Sequence, residues 1–151
     1  MPFTVRERIV IDRPREDVWE YVANQDEWRR PTVQAVRKLT EGRPEVGTRY
    51  EDTVELMGRK LTIVNELLSY DPPRSMSWKQ VDETGPAYAI EGRYDLEALN
   101  DKTRFTLSTE YGTPGLGRLL APFIRQRLAN RVYPKLLSQL KDALEDQRKG
   151  G

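Results

Sequence analysis

The end of this chain constrains its fold more than any other part. Residues 116–147 form one long stretch of helical pattern, and this stretch follows a series of short segments in which apolar and polar residues alternate. A long amphipathic helix that closes a strand-rich chain must bury its apolar side against the sheet. A sheet that curves around a helix encloses an interior. The order of elements therefore predicts an α+β protein with an internal space.

Turn signals divide the alternating region into an antiparallel sheet. Met57-Gly58, Asp71-Pro72-Pro73 and Leu99-Asn100-Asp101 each separate two alternating segments, as expected for hairpins and tight turns. Pro14 opens a helix that Asn24 ends, and a short second helix runs through Trp28. The sequence thus predicts two short helices after the first strand, and seven strands at residues 5–11, 33–39, 48–56, 59–70, 75–81, 87–98 and 102–111.

Length and charge limit the number of domains and the kind of partner. The chain has 151 residues, which predicts a single domain over residues 1–145 followed by a disordered charged tail at 146–151. Lys and Arg number 25 against 24 Asp and Glu, so the formal net charge is only +1. A nearly neutral chain offers no general attraction to nucleic acid, and we predict none as a partner.

Two residue types that carry much of enzyme chemistry are missing from the sequence. It has no cysteine and no histidine, which removes disulfides, thiolate nucleophiles, imidazole bases and Cys/His zinc sites. The glycines at 112, 115 and 117 have the wrong spacing for a dinucleotide or phosphate loop. We therefore predict no metal and no cofactor, and any chemistry would depend on carboxylates, Tyr, Lys or Arg.

The sequence gives no sign of export or membrane insertion. Charged residues occur within the first eight positions, and no segment approaches the roughly 20 apolar residues of a membrane span. We therefore expect a cytoplasmic protein.

The alternation of side chains along a strand predicts which residues face the interior. On the strand at 48–56 the inward set includes Tyr50 and Asp52, so a carboxylate lies on an otherwise apolar face. On the later strands the predicted inward residues include aromatic and polar side chains, namely Met76, Trp78, Gln80, Tyr88, Ile90, Tyr94, Leu96, Thr103, Phe105, Leu107, Thr109 and Tyr111. Buried Tyr hydroxyls need partners, so this set fits a cavity with polar anchoring points better than a dry core.

Several short motifs occur in an order typical of one family. They are the opening I-x-I-D-R-P-R-E-D-V-W-E-Y-V at 9–22, Glu27-Trp28, Val46-Gly47-Thr48, and the Tyr70-Asp71-Pro72-Pro73-Arg74 run before Trp78. With the closing helix, they resemble the polyketide cyclase/dehydrase branch of the START-like (SRPBCC) superfamily over nearly the whole chain. The resemblance implies a helix-grip fold, in which a seven-stranded antiparallel sheet wraps the C-terminal helix and leaves a hydrophobic cavity. It implies fold better than function, because members bind varied lipophiles and few are catalytic.

Asp52 is the residue that most needs an explanation. A charged carboxylate in a dry interior costs several kcal/mol, so Asp52 is either paired with an arginine or neutral, or else it faces a wet or ligand-filled space. In the second case it is the best candidate for a catalytic residue. Glu7 is a weaker second candidate at the rim of the sheet. The predicted ligand-binding set is Tyr50, Asp52, Trp78, Gln80, Tyr88, Tyr94, Tyr111, Phe123 and Arg127.

The closing helical stretch contains two apolar stripes that conflict. Leu116, Leu119, Leu120, Phe123 and Ile124 point one way at helical spacing, whereas Leu128, Val132, Leu136, Leu140 and Leu144 point nearly opposite. One straight helix cannot bury both against one sheet. The second stripe is expected to pack on the sheet. The first then covers the cavity mouth, forms a homodimer contact, or touches a membrane surface, and six basic residues and no acidic one lie from Tyr111 to Lys141.

Three functions compete on these observations. The leading hypothesis is binding of a small hydrophobic molecule, such as a lipid, polyketide or quinone, without catalysis. A second is a polyketide cyclase or dehydratase that uses a cavity carboxylate as base. A third is a protein- or membrane-interaction module that acts through residues 116–124, which requires those residues to be exposed in the monomer.

Overall fold

The computed structural model describes residues 2–23, 33–56, 58–115 and 117–150. In chain order the elements are β1 (Phe3–Ile11), α1 (Arg15–Ala23), β2 (Val33–Lys38), β3 (Arg49–Leu56), β4 (Arg59–Asp71), β5 (Ser75–Gln80), β6 (Tyr88–Leu99), β7 (Lys102–Gly112), α2 (Gly117–Arg127), a π-helical turn (Leu128–Val132) and α3 (Tyr133–Gly150). The predicted second short helix, through Trp28, lies outside the described residues.

The seven strands form one antiparallel sheet in the order β1-β7-β6-β5-β4-β3-β2. From β2 to β7 each strand pairs with the next one along the chain, which short turns allow. The first strand then closes the other edge by pairing with β7. The predicted seven-stranded α+β architecture with a long C-terminal helix, the helix-grip fold, is confirmed, and the strand bounds differ from prediction by one or two residues.

The core lies between the sheet and the C-terminal helix. Leu137, Leu140 and Leu144 of α3 are almost completely buried, and so is Phe105 on β7. These leucines recur every three or four residues and therefore lie on one side of the helix. Of the stripe predicted to pack on the sheet, Leu136, Leu140 and Leu144 are buried in this core, and Leu137, which the prediction did not include, joins them. At the same end of the sheet, Val18 and Val22 of α1 are fully buried in the same core.

Polar bonds fasten the turn between β1 and α1 to α3. The Arg13 guanidinium donates to the Leu144 carbonyl at 2.7 Å, and the Asp12 amide donates to Glu145 Oε2 at 3.1 Å. The Thr103 hydroxyl donates to the Arg13 carbonyl at 2.8 Å, which connects the turn to β7. Because these groups are far apart in sequence, the bonds fix the position of α3 on the sheet.

A π-helical turn resolves the conflict between the two apolar stripes. The Tyr133 amide donates to the Leu128 carbonyl, five residues earlier. A π turn rotates less per residue than an α-helix, so it changes the side that faces the sheet. Pro134 supplies a local reason, because its ring has no N–H and would clash with the carbonyl four residues before it in a regular helix. The first stripe consequently stays off the sheet.

The C-terminal helix is longer than the sequence indicated. Residues 146–151 were expected to be a disordered tail, whereas the α3 backbone is helical through Gly150. No glycine or proline interrupts the helix between Lys135 and Arg148, so nothing in the local sequence stops it earlier.

Two leucines of the helical region provide a matched test of this packing. Leu137 is 1% exposed and Leu119 is 79% exposed. We expect Leu137→Ala to lower the free energy of unfolding by about 2–5 kcal/mol, since it leaves a cavity in the core. The control, Leu119→Ala, should change it by less than about 0.5 kcal/mol. Urea denaturation measures both, and equal losses would contradict the packing described above.

Candidate functional site

A cavity of about 210 Å³ lies between the inner face of the sheet and the C-terminal helical region. Strands β2 to β7 form one wall, and the end of α2, the π turn and the start of α3 form the other. The helix fills the opposite end of the sheet with its leucines, but it does not fill this end. The predicted cavity is therefore present in the structure.

Aromatic rings form the floor of the cavity. The ring centroids of Trp78 and Tyr94 are 4.5 Å apart, at an interplanar angle of 48°. The Trp78 ring fits because Gly92 lies opposite it on β6: a Cβ at that position would come within 2.2 Å of the ring. Two flat rings in contact present a surface suited to a planar or apolar ligand.

Asp52 lies in the cavity wall, as the alternation on β3 predicted. It is only 5% exposed, and the Asn65 amide donates to its Oδ2 at 3.1 Å. A second cavity of about 50 Å³ shares Asp52, Asn65, Trp78 and Tyr94 with the first and is also lined by Tyr50. The carboxylate thus stands where the two cavities meet, among largely apolar neighbours.

A pair of tyrosines forms a second polar point in the wall. The hydroxyls of Tyr111 and Tyr133 are 2.6 Å apart, which is a short hydrogen bond. Burial raises the pKa of Tyr111 above its ordinary value. Burial, together with the nearby Tyr111, raises the pKa of Tyr133 well above its ordinary value. Both phenols are therefore neutral hydrogen-bonding groups near pH 7 and not bases.

Gln80 lines the cavity, but its amide is already bonded to the backbone. Its Nε2 donates to the Thr84 carbonyl at 3.0 Å, and its Oε1 accepts from the Ala89 amide at 3.3 Å. The side chain thus holds the loop between β5 and β6 against the start of β6. Its role in the structure is to hold this loop in place.

Tyr88 was predicted to face the cavity, but it does not line it, because β6 is irregular. A register shift between Ala89 and Glu91 exchanges the two sides of the strand, so the buried Ala89 faces the cavity instead. The ring of Tyr88 lies over Gly112, where a Cβ would approach it to 2.5 Å. Gly112 follows the inward-facing Tyr111 and so lies on the outer face of the sheet.

Two residues of α2 also lie away from the cavity. Phe123 is 57% exposed and Arg127 is exposed, and neither lines the cavity, although both were predicted to bind ligand. Among the described members of the first apolar stripe, Leu119, Leu120 and Phe123 turn outward and Ile124 reaches the cavity. Glu7 is half-buried on β1 and is likewise not part of the lining.

The predicted ligand-binding set omitted helical residues of the cavity wall and several strand residues. Leu128, Val132, Tyr133 and Leu136 line the cavity, together with Asn65 on β4. Asn65 follows Ile63, the direct partner of Asp52, by two positions, so a strand-pairing argument could have found it. Tyr133 precedes Pro134 directly, which is the signal for a break in helical phase.

Two other kinds of site are absent from the described ranges of the chain. Among residues 2–23, 33–56, 58–115 and 117–150, no group of three or more Asp or Glu is placed to hold a metal ion. Within those same ranges, no helix is long and apolar enough to cross a membrane.

The architecture and the cavity together define an α+β helix-grip protein like the START proteins. A sequence profile described as polyketide cyclase / dehydrase and lipid transport matches residues 2–145. The chain therefore belongs to this family. Among curated proteins, none matches it in sequence.

Solved structures with low sequence identity share the fold. The Zhui aromatase/cyclase from Streptomyces sp. R1128 matches with a TM-score of 0.75 and 17% identity, over 99% of this chain and 94% of that one. A START superfamily protein from Mycobacterium smegmatis has a TM-score of 0.75 and 16% identity, over 95% and 98%. A protein from Thermus thermophilus has a TM-score of 0.78 and 20% identity, over 96% and 99%.

The buried pair of Tyr111 and Tyr133 should cause the folded protein to lose stability at high pH. Because the folded pKa values of Tyr111 and Tyr133 lie above the unfolded value of about 10, the unfolded chain loses these protons first. Stability should then fall as pH rises above that value. We expect Tyr133→Phe to reduce this fall, measured by urea denaturation at a series of alkaline pH values. Tyr70→Phe, outside the pair, is the control, and an unchanged fall in Tyr133→Phe would contradict the assignment.

Proposed function

We propose that this chain binds a small, largely apolar molecule that carries a hydrogen-bond donor, and that it does so without catalysis. The observation that carries this proposal is the buried Asp52 carboxylate in the wall of a mostly apolar cavity. A carboxylate oxygen accepts hydrogen bonds only, so it favours a ligand with a hydroxyl or amine. The floor of Trp78 and Tyr94 favours a ring.

The size of the cavity limits the ligand. Drug-sized ligands occupy about 300–1,000 Å³, and an apolar cavity of about 150 Å³ accepts benzene. At about 210 Å³, this cavity suits a molecule of one or two rings. A two-chain lipid or a long polyketide would need the helical wall to move.

Native mass spectrometry of the protein purified from cells tests this function directly. We expect a fraction of the protein to carry a bound small molecule, with a mass that corresponds to a one- or two-ring compound. Extraction and high-resolution mass measurement would then identify it. Protein that carries only two-chain phospholipid would overturn the proposed ligand class.

Naphthol offers a defined probe for the role of Asp52, because it has two fused rings and one hydroxyl donor. We expect the wild type to bind naphthol more tightly than naphthalene. A hydrogen bond to a charged group is worth about 1.5–3 kcal/mol, against about 1 kcal/mol for a neutral one. Asp52→Asn should therefore reduce the preference for naphthol by about fivefold, measured by fluorescence titration.

The matched control for this experiment is Asp142→Asn, which removes a carboxylate from the exposed side of α3. This variant should keep the preference of the wild type. If Asp52→Asn leaves the ratio of the two affinities unchanged, the carboxylate does not contact the ligand hydroxyl. Circular dichroism and urea denaturation of each variant report separately on folding.

A cyclase or dehydratase activity is the second candidate function, and the position of Asp52 favours it. A cavity carboxylate can remove a proton from a carbon between two carbonyl groups, and one hydroxyl of the Tyr111–Tyr133 pair can donate a hydrogen bond to the enolate oxygen while accepting from the other. Incubation with a soluble β-polyketone thioester tests it, by the appearance of aromatic absorbance. Turnover that Asp52→Asn abolishes would establish catalysis in place of simple binding.

Helix α2 is expected to act as a moving cover of this cavity. It follows Gly115, which has a positive φ, and it precedes the π turn, so both of its ends are irregular. Backbone amides of α2 should exchange hydrogen faster than those of α3 after Pro134, and should slow when naphthol is bound. Exchange in α2 that is as slow as in α3, with and without naphthol, would show a fixed element instead.

A further inference from the structure

Helix α2 exposes large apolar side chains on its outer side. Leu119 is 79% exposed, Phe123 is 57% exposed and Leu120 is 42% exposed. Positions 119, 120 and 123 have the spacing of one helical face. Among the described residues, Leu119 is the most exposed large apolar side chain. These three residues form the outer patch.

Arginines continue the same face beyond the outer patch. Arg127 and Arg131 follow Phe123 by four and eight positions, and both are exposed. In the ranges that the structure covers, neither has a carboxylate within ion-pair distance. From Tyr111 to Lys141 the chain has six basic residues and no acidic one, although its net charge is only +1. The positive charge is thus concentrated locally beside the apolar patch.

We propose that α2 and the π turn form a docking surface for an anionic lipid membrane. The side chains of the outer patch enter the boundary between head groups and acyl chains, while Arg127 and Arg131 contact lipid phosphates. Apolar side chains flanked by cations on one helix face are what an interfacial helix requires. Each basic residue near an anionic surface adds attraction, which salt weakens.

A second copy of the chain fits this surface less well. A two-fold symmetric contact brings the same residues of both copies together, so the arginines of one helix would approach those of the other. Such an interface also lacks any acidic residue between Tyr111 and Lys141 to pair with them. The charge therefore favours an anionic partner over a copy of this chain.

The docking surface is on a different side of the helix from the residues that line the cavity. Ile124 and Leu128 line the cavity, whereas Leu119 and Phe123 point outward. A membrane bound on the outer side would thus lie next to the cover of the cavity. This proposal goes beyond ligand binding, and it does not depend on the identity of the ligand.

Sedimentation with lipid vesicles tests the proposal on the full chain. We expect binding to vesicles of phosphatidylcholine mixed with phosphatidylglycerol, and little binding to phosphatidylcholine alone. Because each arginine near an anionic surface contributes about 1 kcal/mol, the double variant Arg127→Gln/Arg131→Gln should weaken binding by about thirtyfold. The double variant Leu119→Gln/Phe123→Gln should weaken it by about tenfold or more, on the order expected for two buried apolar side chains.

The matched control is Arg43→Gln/Val46→Gln, which makes the same kinds of chemical change at two exposed positions in the loop between β2 and β3. It should bind the mixed vesicles like the wild type, and added salt should reduce binding of both. Three results would each overturn the proposal. They are equal binding to both vesicle types, a loss of binding in the control equal to that in the docking variants, and self-association that Leu119→Gln/Phe123→Gln abolishes. Naphthol affinity, measured without vesicles, should be unchanged in the docking variants, which separates this test from that of ligand binding.

Discussion

The packing of the α3 leucines on the curved sheet is the contact on which the rest of the structure depends. Leu137, Leu140 and Leu144 are almost fully buried, and hydrogen bonds from Asp12 and Arg13 hold that end of the helix in place. Burial of a leucine side chain contributes about 1.5–3 kcal/mol, so three of them outweigh the polar bonds. This end of the sheet is tightly packed, whereas the cavity lies at the other end, which remains open.

The π turn determines what happens at the open end. It changes the helical phase directly before Pro134, so that Tyr133 and Leu136 face the cavity while the α2 stripe turns outward. A regular helix here would bring different side chains toward the sheet. The same local irregularity therefore gives the cavity its helical wall and exposes the outer patch. π turns often occur at functional sites. Here the turn affects both the side of the helix that lines the cavity and the side that carries the outer patch.

The sequence predicted the strands and several strand residues of the cavity wall, because alternation is reliable where a ladder is regular. Asp52, Trp78 and Tyr111 lie on regular strands, and all three line the cavity. The register shift at Ala89 has no comparable local signal, so Tyr88 was assigned to the wrong face. A constant helical period placed Leu128, Val132 and Leu136 toward the sheet, but it could not predict Tyr133, which enters the cavity only through the π turn. Errors thus arose where hydrogen bonding departs from a repeating pattern.

Under the proposed ligand-binding function, Asp52 would give the cavity a chemical preference that its shape alone would not provide. A purely apolar ligand would remove solvent from the carboxylate and offer no hydrogen bond in return, a penalty of several kcal/mol in a dry site. Asn65 donates a hydrogen bond to Asp52 Oδ2, and a carboxylate oxygen accepts hydrogen bonds but donates none. A ligand with a donor would recover part of the penalty, so the residue discriminates by disfavouring hydrocarbons more than by attracting a particular compound. That preference is consistent with a binding protein, and it is also the starting point from which a carboxylate base could act on a bound carbonyl compound.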